Sequence, residues 1–487
     1  MKDQSNFQVA VIKGNTPETS VFEGIKMLGG ISNFINEGDN VFIKFNLYSP
    51  EGFPTNTNFD ILGAVINLCK EAGANKISIG SFPAFKVPIK AISDLLRIEK
   101  YFNTLGAEFV FLDNSNLYGK KEFTIEELKI IKSKSLSKVK VNDKEFLVPR
   151  VILESDKFIS VNQVNVNPLF KLNFSLLNSY SMISTYNQEI EKTTENKSEY
   201  VSLDKYKQEL KTKIIDVFTI KQPKLVINDL FYILEGAGPF IYKDSNLKKT
   251  EYLVIGNNSI ATDIITLKML NLELEDCDLI LDARNKISYE LKPSEIKTIG
   301  VDLKDIDINI EFCATKLEDI DVSNVSIRSG RYCSGCFKQA YHLLNFMKTK
   351  MIKDLKYNPR NSFLIGENPP NPNNPKNIIL FGDCAINSTK ESDFRKVIKK
   401  SKKSIKNDVN KKNNNKSKAS KEGKIKLKKN EKILELEGCP PDIFSCIDFM
   451  IKYYGKINVP NLCLFNKTIK LWSNRSIREK LDIWEAF

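Results

Sequence analysis

Short apolar runs alternate with amphipathic stretches from residue 7 to about residue 310. The runs are rich in Val and Ile, which is typical of buried strands, and stretches such as 16–28 and 60–71 show helical spacing and end near glycines. This alternation predicts an α/β fold with a doubly wound, mostly parallel sheet. The predicted strands are 8–12, 40–44, 76–80, 108–112, 157–161, 224–228 and 252–255.

The character of the chain changes near residue 310, where cysteines cluster and prolines gather at 366–376. A chain of 487 residues is also long for one hydrophobic core. We therefore predict two domains, an α/β domain over 1–310 and a smaller, cysteine-bearing α/β module over 311–487. The last segment, 456–487, carries both tryptophans and is expected to pack back on the body.

The net positive charge of the chain comes from one segment. The total is +13, but residues 395–432 hold sixteen Lys and one Arg against three acidic residues, a net charge of +14 that leaves −1 for the rest. The segment is also poor in apolar residues, which predicts a disordered basic loop. Nucleic-acid binding is therefore not expected, except through this loop.

Several classes of protein are excluded by simple patterns. The chain has no apolar run of membrane-spanning length and no signal-peptide layout at its start, so we expect a cytoplasmic protein. Its nine cysteines are then thiols or metal ligands rather than disulfides. With His342 as the single histidine, a zinc site with two histidines is impossible within one chain, and His342 is predicted on the polar side of its helix.

Three short motifs together supply four thiolates: Cys333 and Cys336 in CSGC, Cys384 in GDCA, and Cys439 in GCPP. Two cysteines at C-x-x-C spacing reach one metal from a single turn, and glycines let the other two loops bend around a bulky centre. An apolar helical stretch follows Cys336, so a helix N-terminus favours negative charge there. The motifs predict a [4Fe-4S] cluster, with zinc or free thiols as alternatives.

The order of these motifs resembles the cluster-binding motifs in the small subunits of nickel-iron hydrogenases and the related complex I subunit. That resemblance implies that all four cysteines bind a [4Fe-4S] cluster. For Cys313 two alternatives stay open, a core thiol or a spare ligand of the cluster. The remaining cysteines lie in apolar surroundings and are predicted to be core thiols: Cys69, Cys277, Cys446 and Cys463.

Polar residues also follow predicted strands of the amino-terminal domain, where open parallel sheets place their ligand crevices. Lys44 and Asn46 lie at or just past one strand end, and Asp229 lies at another. Glu235 follows in a glycine-rich stretch, EGAGP, and Asp263 lies in a predicted helix. Turn chemistry and helix capping are the structural alternatives for the last two.

The motifs VAVIKG, GDNVFIKFNLYSP, AGANKISIG, QPKLVINDL, LEGAGP and IATDIITLKML, spread over residues 7–275, resemble the domain of unknown function 362 family. The resemblance implies an α/β domain, often attached to iron-sulfur modules and linked to the lactate-racemase-like group. It also implies a ligand-binding set in this domain, which consists of Lys44, Asn46, Asn178, Asp229, Glu235 and Asp263.

The chain departs from the family pattern at three places. It has Gly80-Ser81 where the family has Gly-Asp, Asn58 near a family histidine, and an asparagine-rich stretch at 162–167 where the family has lysine and histidine. An active site that needs those groups would lack its general base.

The leading functional hypothesis is therefore an electron carrier or redox accessory that exchanges electrons with a partner protein. Four cysteine ligands leave no open coordination position, which favours electron transfer or structural support over substrate activation. The alternatives are a small-molecule enzyme of the lactate-racemase-like group and a zinc-stapled binding scaffold. The sequence carries no signal of an oligomeric state.

Overall fold

The structure is a computed structural model. It describes residues 7–48, 50–83, 88–117, 124–183, 205–288, 291–357, 360–372, 377–396 and 432–454. These residues form two compact units: one comprises the residues up to 183 with 208–313, and the other comprises 205–207 with 314–454. No helix within the described ranges is long and apolar enough to cross a bilayer.

The first unit is built on an eight-stranded sheet with the order β14-β1-β13-β10-β7-β2-β3-β4. β13 runs antiparallel to both of its neighbours, and the other pairs are parallel. The strands are β1 (Gln8–Lys13), β2 (Asn40–Phe45), β3 (Lys76–Gly80), β4 (Glu108–Phe109), β7 (Lys157–Gln163), β10 (Leu225–Asp229), β13 (Tyr252–Gly256) and β14 (Lys297–Gly300).

Three two-stranded ribbons complete the strands of this unit. They are β5 (Leu136–Val141) with β6 (Lys144–Pro149), β8 (Val166–Asn167) with β9 (Lys171–Leu172), and β11 (Tyr232–Gly236) with β12 (Ser245–Lys249).

Helices cover the sheet, and several begin with the capping chemistry that their sequences predict. The Thr16 side chain accepts from Thr19 N, and the Asn58 side chain accepts from Asp60 N. The helices are α1 (Pro17–Met27), α2 (Phe59–Glu71), α3 (Ile89–Leu96), α4 (Ile98–Thr104), α5 (Ile125–Ser135), α6 (Arg150–Leu153), α7 (Ser175–Tyr180), α8 (Lys205–Ile220), α9 (Ser259–Met269) and α10 (Asp278–Ile287).

The second unit is a smaller α/β module whose four strands are all parallel, in the order β15-β16-β17-β18. Apolar side chains of its central strands, such as Leu364 and Leu380, pack with Phe394 in its core. Its strands are β15 (Val325–Ser329), β16 (Asn361–Ile365), β17 (Asn377–Phe381) and β18 (Lys432–Leu436). Its helices are α11 (Ser334–Lys350), α12 (Ile352–Tyr357), α13 (Gly382–Ser388) and α14 (Ile443–Tyr454).

The predicted fold class is confirmed, and all seven predicted strands belong to the large sheet. β4 is shorter than predicted, because after the bond from Val110 N to Ile79 O the chain turns, with Asn114 N donating to Phe111 O. β14 was not predicted, since only Ile299 of its four residues is apolar and none is fully buried.

Two predicted segments lie largely outside the described residues. In the predicted basic loop, 395–432, residues 397–431 are outside them, while Arg395 forms an ion pair with Glu435 of the second unit at 2.5 Å. The tail that was predicted to pack back on the body, 456–487, is entirely outside them.

Candidate functional site

The four motif cysteines follow the carboxyl ends of three parallel strands in the second unit. Cys333 and Cys336 follow β15, with Cys333 as the N-cap of α11. Cys384 lies in α13, which begins directly after β17, and Cys439 lies three residues beyond the end of β18. Because the carboxyl ends of parallel strands meet at one edge of a sheet, this topology brings all four cysteines to the same edge.

Backbone contacts tie the loops at this edge together. Asp383 N donates to Gly438 O at 3.1 Å, and Gly438 N donates back to Asp383 Oδ1 at 2.8 Å. Gly382 has φ +86°, and a Cβ placed on it would lie 3.5 Å from Cys336 Sγ. The Cys384 and Cys439 loops are therefore bound to each other beside the buried Cys336 sulfur.

The electrostatics show that the four sulfurs influence one another. Interaction with the neighbouring Cys336 thiol lowers the pKa of Cys333 to about 6, helped by backbone N–H groups at the start of α11. The pKa of Cys336 is raised well above its usual value by its interaction with Cys333, by burial, and by the charges of Cys333, Cys439 and Cys384. The raised pKa of Cys336 therefore reflects the proximity of the other three motif cysteines.

The chemistry of this donor set fits a cluster or a thiolate-bound metal. All four groups are thiols, and the two glycines at the site, Gly382 and Gly438, keep the adjoining backbone free of side chains. Cys336 is buried, Cys333 and Cys439 are half-buried, and Cys384 is exposed. Within the described ranges, no group of three or more His, Cys, Asp or Glu side chains is arranged to hold a metal ion, so cluster and zinc both stay predictions.

Gly382 provides a test of this local geometry. A Cβ at φ +86° meets only ordinary contacts, so replacing Gly382 with Ala should cost the left-handed backbone strain, about 1 to 2 kcal/mol of unfolding free energy. Urea unfolding measures the loss. Gly38→Ala is the matched control, because Gly38 has φ +85° and open space around it. Unchanged stability of Gly382→Ala beside a destabilised control would contradict the backbone described here.

The other cysteines are accounted for by packing. Cys69, Cys277 and Cys446 are buried, and burial raises the pKa of each to about 12, so the prediction of core thiols is confirmed for them. Cys463 lies outside the described residues. Cys313 belongs to the first unit, where its Sγ donates to Gly238 O at 3.4 Å.

The prediction that His342 lies on the polar side of its helix is wrong. Its side chain is buried on α11, and burial, with the charge of Lys338, lowers its pKa to about 3. The helical pattern misplaced it because Asn345, one turn further on, is polar but also buried.

In the first unit, the end of β2 carries a lysine buried among oxygen atoms. Four acceptors lie within hydrogen-bond distance of Lys44 Nζ: Ser181 Oγ at 2.7 Å, Ser81 Oγ at 2.8 Å, Asn178 Oδ1 at 2.8 Å and Phe45 O at 2.9 Å. The side chain has no exposed surface. A ligand that contacted Nζ would therefore have to displace one of these four acceptors.

Hydrogen bonding and burial act in opposite directions on the charge of Lys44. The Ser81 hydroxyl donates to Phe82 O at 3.0 Å and the Ser181 hydroxyl donates to Asn178 O at 2.9 Å, so neither serine has a hydrogen left for Nζ. Burial lowers the pKa of Lys44 well below its usual value. The four acceptors oppose this shift, since they stabilise the ammonium form.

A chain of side-chain amides runs from Lys44 across the sheet. Asn178 Nδ2 donates to Asn162 Oδ1 at 2.7 Å, Asn162 Nδ2 to Asn228 Oδ1 at 2.8 Å, and Asn228 Nδ2 to Asp263 Oδ1 at 2.9 Å. Each amide fixes the orientation of the next. Burial raises the pKa of Asp263 to about 6, although its carboxylate accepts four hydrogen bonds.

Asn46 joins the same network from the end of β2. Its Oδ1 accepts from Gln163 N at 2.7 Å, and its Nδ2 donates to Tyr48 OH at 3.0 Å and to Asn178 Oδ1 at 3.3 Å. The structure therefore brings both Lys44 and Asn46 into contact with Asn178 Oδ1.

Two members of the predicted ligand-binding set lie outside this network. Asp229 is next to Asn228 on β10, so its side chain projects from the opposite face of the sheet. Glu235 is half-buried on β11, and its Oε2 accepts from Glu311 N at 3.0 Å. The network residues that were not predicted are Ser81, Ser160, Asn162, Ser175, Ser181 and Asn228. For Ser81, Asn162 and Asn228 the signal in the sequence is a polar residue near a strand end, whereas Ser160 lies within β7 and Ser175 and Ser181 lie at the two ends of α7.

The comparisons with known proteins concern the first unit. Residues 41–268 match the family model described as "Domain of unknown function (DUF362)", a range that includes Lys44, Asn178, Asp229 and Asp263 and ends before the four cysteines. No curated protein and no solved structure matches the chain. Over residues 41–268, which include the buried network, the chain is therefore similar to the domain of unknown function 362 family.

Proposed function

We propose that this chain is an iron-sulfur protein, an electron carrier or redox accessory of the cytoplasm. Cys333, Cys336, Cys384 and Cys439 would hold a [4Fe-4S] cluster. The observation that carries the proposal is the convergence of these cysteines at one sheet edge, where the Cys384 and Cys439 loops are hydrogen-bonded to each other.

The local structure favours a negatively charged centre. The N-terminus of α11 begins at Ser334, between the two cysteines of the CSGC motif, and its free N–H groups and dipole stabilise anions. The pKa of Cys333, about 6, makes this residue a thiolate at neutral pH. Thiolates are the form that binds both iron-sulfur clusters and zinc.

A cluster would supply one-electron redox chemistry, and the chain's residues would bind it and control access to it. Four thiolate ligands leave no position for a substrate. Cys336 is enclosed by the module, whereas Cys384 is exposed and lies beside the carboxylates of Asp383 and Glu367. We infer that a redox partner protein approaches on the Cys384 side.

Anaerobic reconstitution of the full chain with iron and sulfide tests the proposal. We expect a brown protein with about four iron and four sulfide per chain, and a signal in electron paramagnetic resonance after reduction. The competing outcome is a protein that purifies with zinc in place of iron. A colourless protein that holds one zinc per chain and takes up no stoichiometric iron would replace the redox role with a zinc-stapled scaffold.

A further inference from the structure

A second polar pair lies on the face of the large sheet opposite the Lys44 network. Gln163 on β7 and Asp229 on β10 are directly opposite each other in the parallel register. Such partners project from the same face, with strands about 4.7 to 4.9 Å apart. Both side chains have no exposed surface. A carboxylate and an amide are therefore buried side by side.

Their end groups lie against the same turn. Phe231 N donates to Asp229 Oδ1 at 2.8 Å, while Gln163 Nε2 donates to Tyr232 O at 2.8 Å and to Asp229 O at 3.4 Å. The two carbonyl partners fix the orientation of the Gln163 amide, because the flipped amide would set oxygen against oxygen. Asp229 Oδ2 and Gln163 Oε1 are left buried without hydrogen-bond partners.

The segment 54–57, which bonds to residues on both sides of Gln163, carries a third unpartnered oxygen. Asn165 Nδ2 donates to Pro54 O at 2.7 Å, and Thr57 Oγ1 donates to Val161 O at 3.3 Å, so the segment lies along β7 on both sides of Gln163. Thr55 lies between these two contacts, is fully buried, and has a hydroxyl without a partner. Buried polar atoms without partners are rare and need an explanation.

We propose that Asp229 Oδ2, Gln163 Oε1 and Thr55 Oγ1 bind a partly dehydrated monovalent cation, K⁺ or Na⁺. All three are hard oxygen ligands, the type that alkali and alkaline-earth ions prefer over nitrogen or sulfur ligands. One carboxylate balances one positive charge, whereas a divalent ion would leave an excess charge in a buried place.

The raised pKa of Asp229 allows two occupants beside its Oδ2, a cation or a proton. Burial raises the pKa of this carboxyl to about 7, and the hydrogen bond from Phe231 N is the opposing influence on it. A bound cation would stabilise the carboxylate form and lower this pKa. A proton on Oδ2 would instead satisfy the pair without a metal ion, and the two occupants predict different solution behaviour.

Thermal unfolding of the full chain at pH 8 distinguishes a bound cation from a proton. The unfolding midpoint is measured in chloride salts of K⁺, Na⁺ or the bulky cation N-methylglucamine at equal ionic strength. A cation site raises the midpoint by a few degrees in K⁺ or Na⁺, and the shift is lost in Asp229→Asn. A proton gives equal midpoints in all three salts, and the wild-type midpoint then rises more between pH 8 and pH 5 than that of Asp229→Asn, in which Asp263 still titrates in this range. That result would overturn the proposal.

A second variant keeps the proposal testable if Asp229→Asn does not fold. Gln163→Met removes one ligand oxygen at similar volume, and we expect at least a tenfold higher K⁺ concentration at half-maximal stabilisation. An anomalous peak beside Asp229 in crystals soaked with Tl⁺ would support the assignment. Crystals with no peak there, or an unchanged K⁺ response in Gln163→Met, would refute it.

Discussion

Cys384→Ala is expected to abolish the proposed [4Fe-4S] cluster while leaving the apo-protein folded. Cys384 is exposed, so truncating it removes little packing, and the apo-protein should keep its stability within about 0.5 kcal/mol. The reconstituted variant should hold at most three iron atoms per chain, because one iron loses its protein ligand. Iron and sulfide analysis after anaerobic gel filtration measures this, and apo-protein unfolding in urea measures the stability.

Cys446→Ala is the matched control for this series. Cys446 lies in α14 of the same unit, is buried, and has no place in the predicted ligand set. Its variant should lose some stability through a small cavity and still bind a full cluster. The four-cysteine site would be refuted if Cys384→Ala kept four iron per chain, or if Cys446→Ala lost iron to the same extent.

The large sheet was predictable because its strands are buried on both faces. Runs such as 41–43 and 225–227 are uninterrupted apolar segments between helices, and that pattern leaves few alternatives to a central parallel strand. The edge strand β14 was not predicted. It pairs only with β1, and its polar sequence has no periodic pattern of apolar residues.

The convergence of the four cysteines followed from spacing together with topology. The sequence placed Cys384 after one apolar run and Cys439 after another, with a long basic segment between them. It did not contain the pairing of β17 with β18, which sets their loops side by side and allows the hydrogen bonds between Asp383 and Gly438. Contacts between distant segments are decided by packing, so they were available only from the structure.

The buried network was predicted in part for the same reason. Lys44 and Asn46 stood out as polar residues at a strand end, and Asn178 came from the family resemblance. Ser81 and Asn162 were noted only as departures from the family pattern, yet both bond to predicted members. Where the family pattern has an aspartate after the third strand, Ser81 here accepts from Lys44 Nζ. The network therefore contains a neutral acceptor at the position where a carboxylate would pair with the lysine.

Replacing Lys44 with methionine is expected to destabilise the first unit by about 2 to 3 kcal/mol. Methionine fills a similar volume, but Ser81 Oγ, Ser181 Oγ and Phe45 O lose the donor that they share. Each buried acceptor left unpaired costs about 1 kcal/mol or more, and relief of the buried charge offsets part of that sum. Urea unfolding monitored by circular dichroism measures the change. Lys44→Gln retains two hydrogen-bond donors without the charge, so its unfolding free energy should lie between those of the wild type and Lys44→Met.

Lys76→Met is the control, since Lys76 lies on the neighbouring strand β3 but is exposed and paired with Glu108 at 2.7 Å. Exposed ion pairs contribute little, so its variant should stay within about 0.5 kcal/mol of the wild type. If Lys44→Met proved more stable than the wild type, the charge burial that lowers the pKa of Lys44 would outweigh its four hydrogen bonds. The lysine would then be a destabilising residue whose retention requires a functional reason, and the enzymatic alternative would become the hypothesis to pursue.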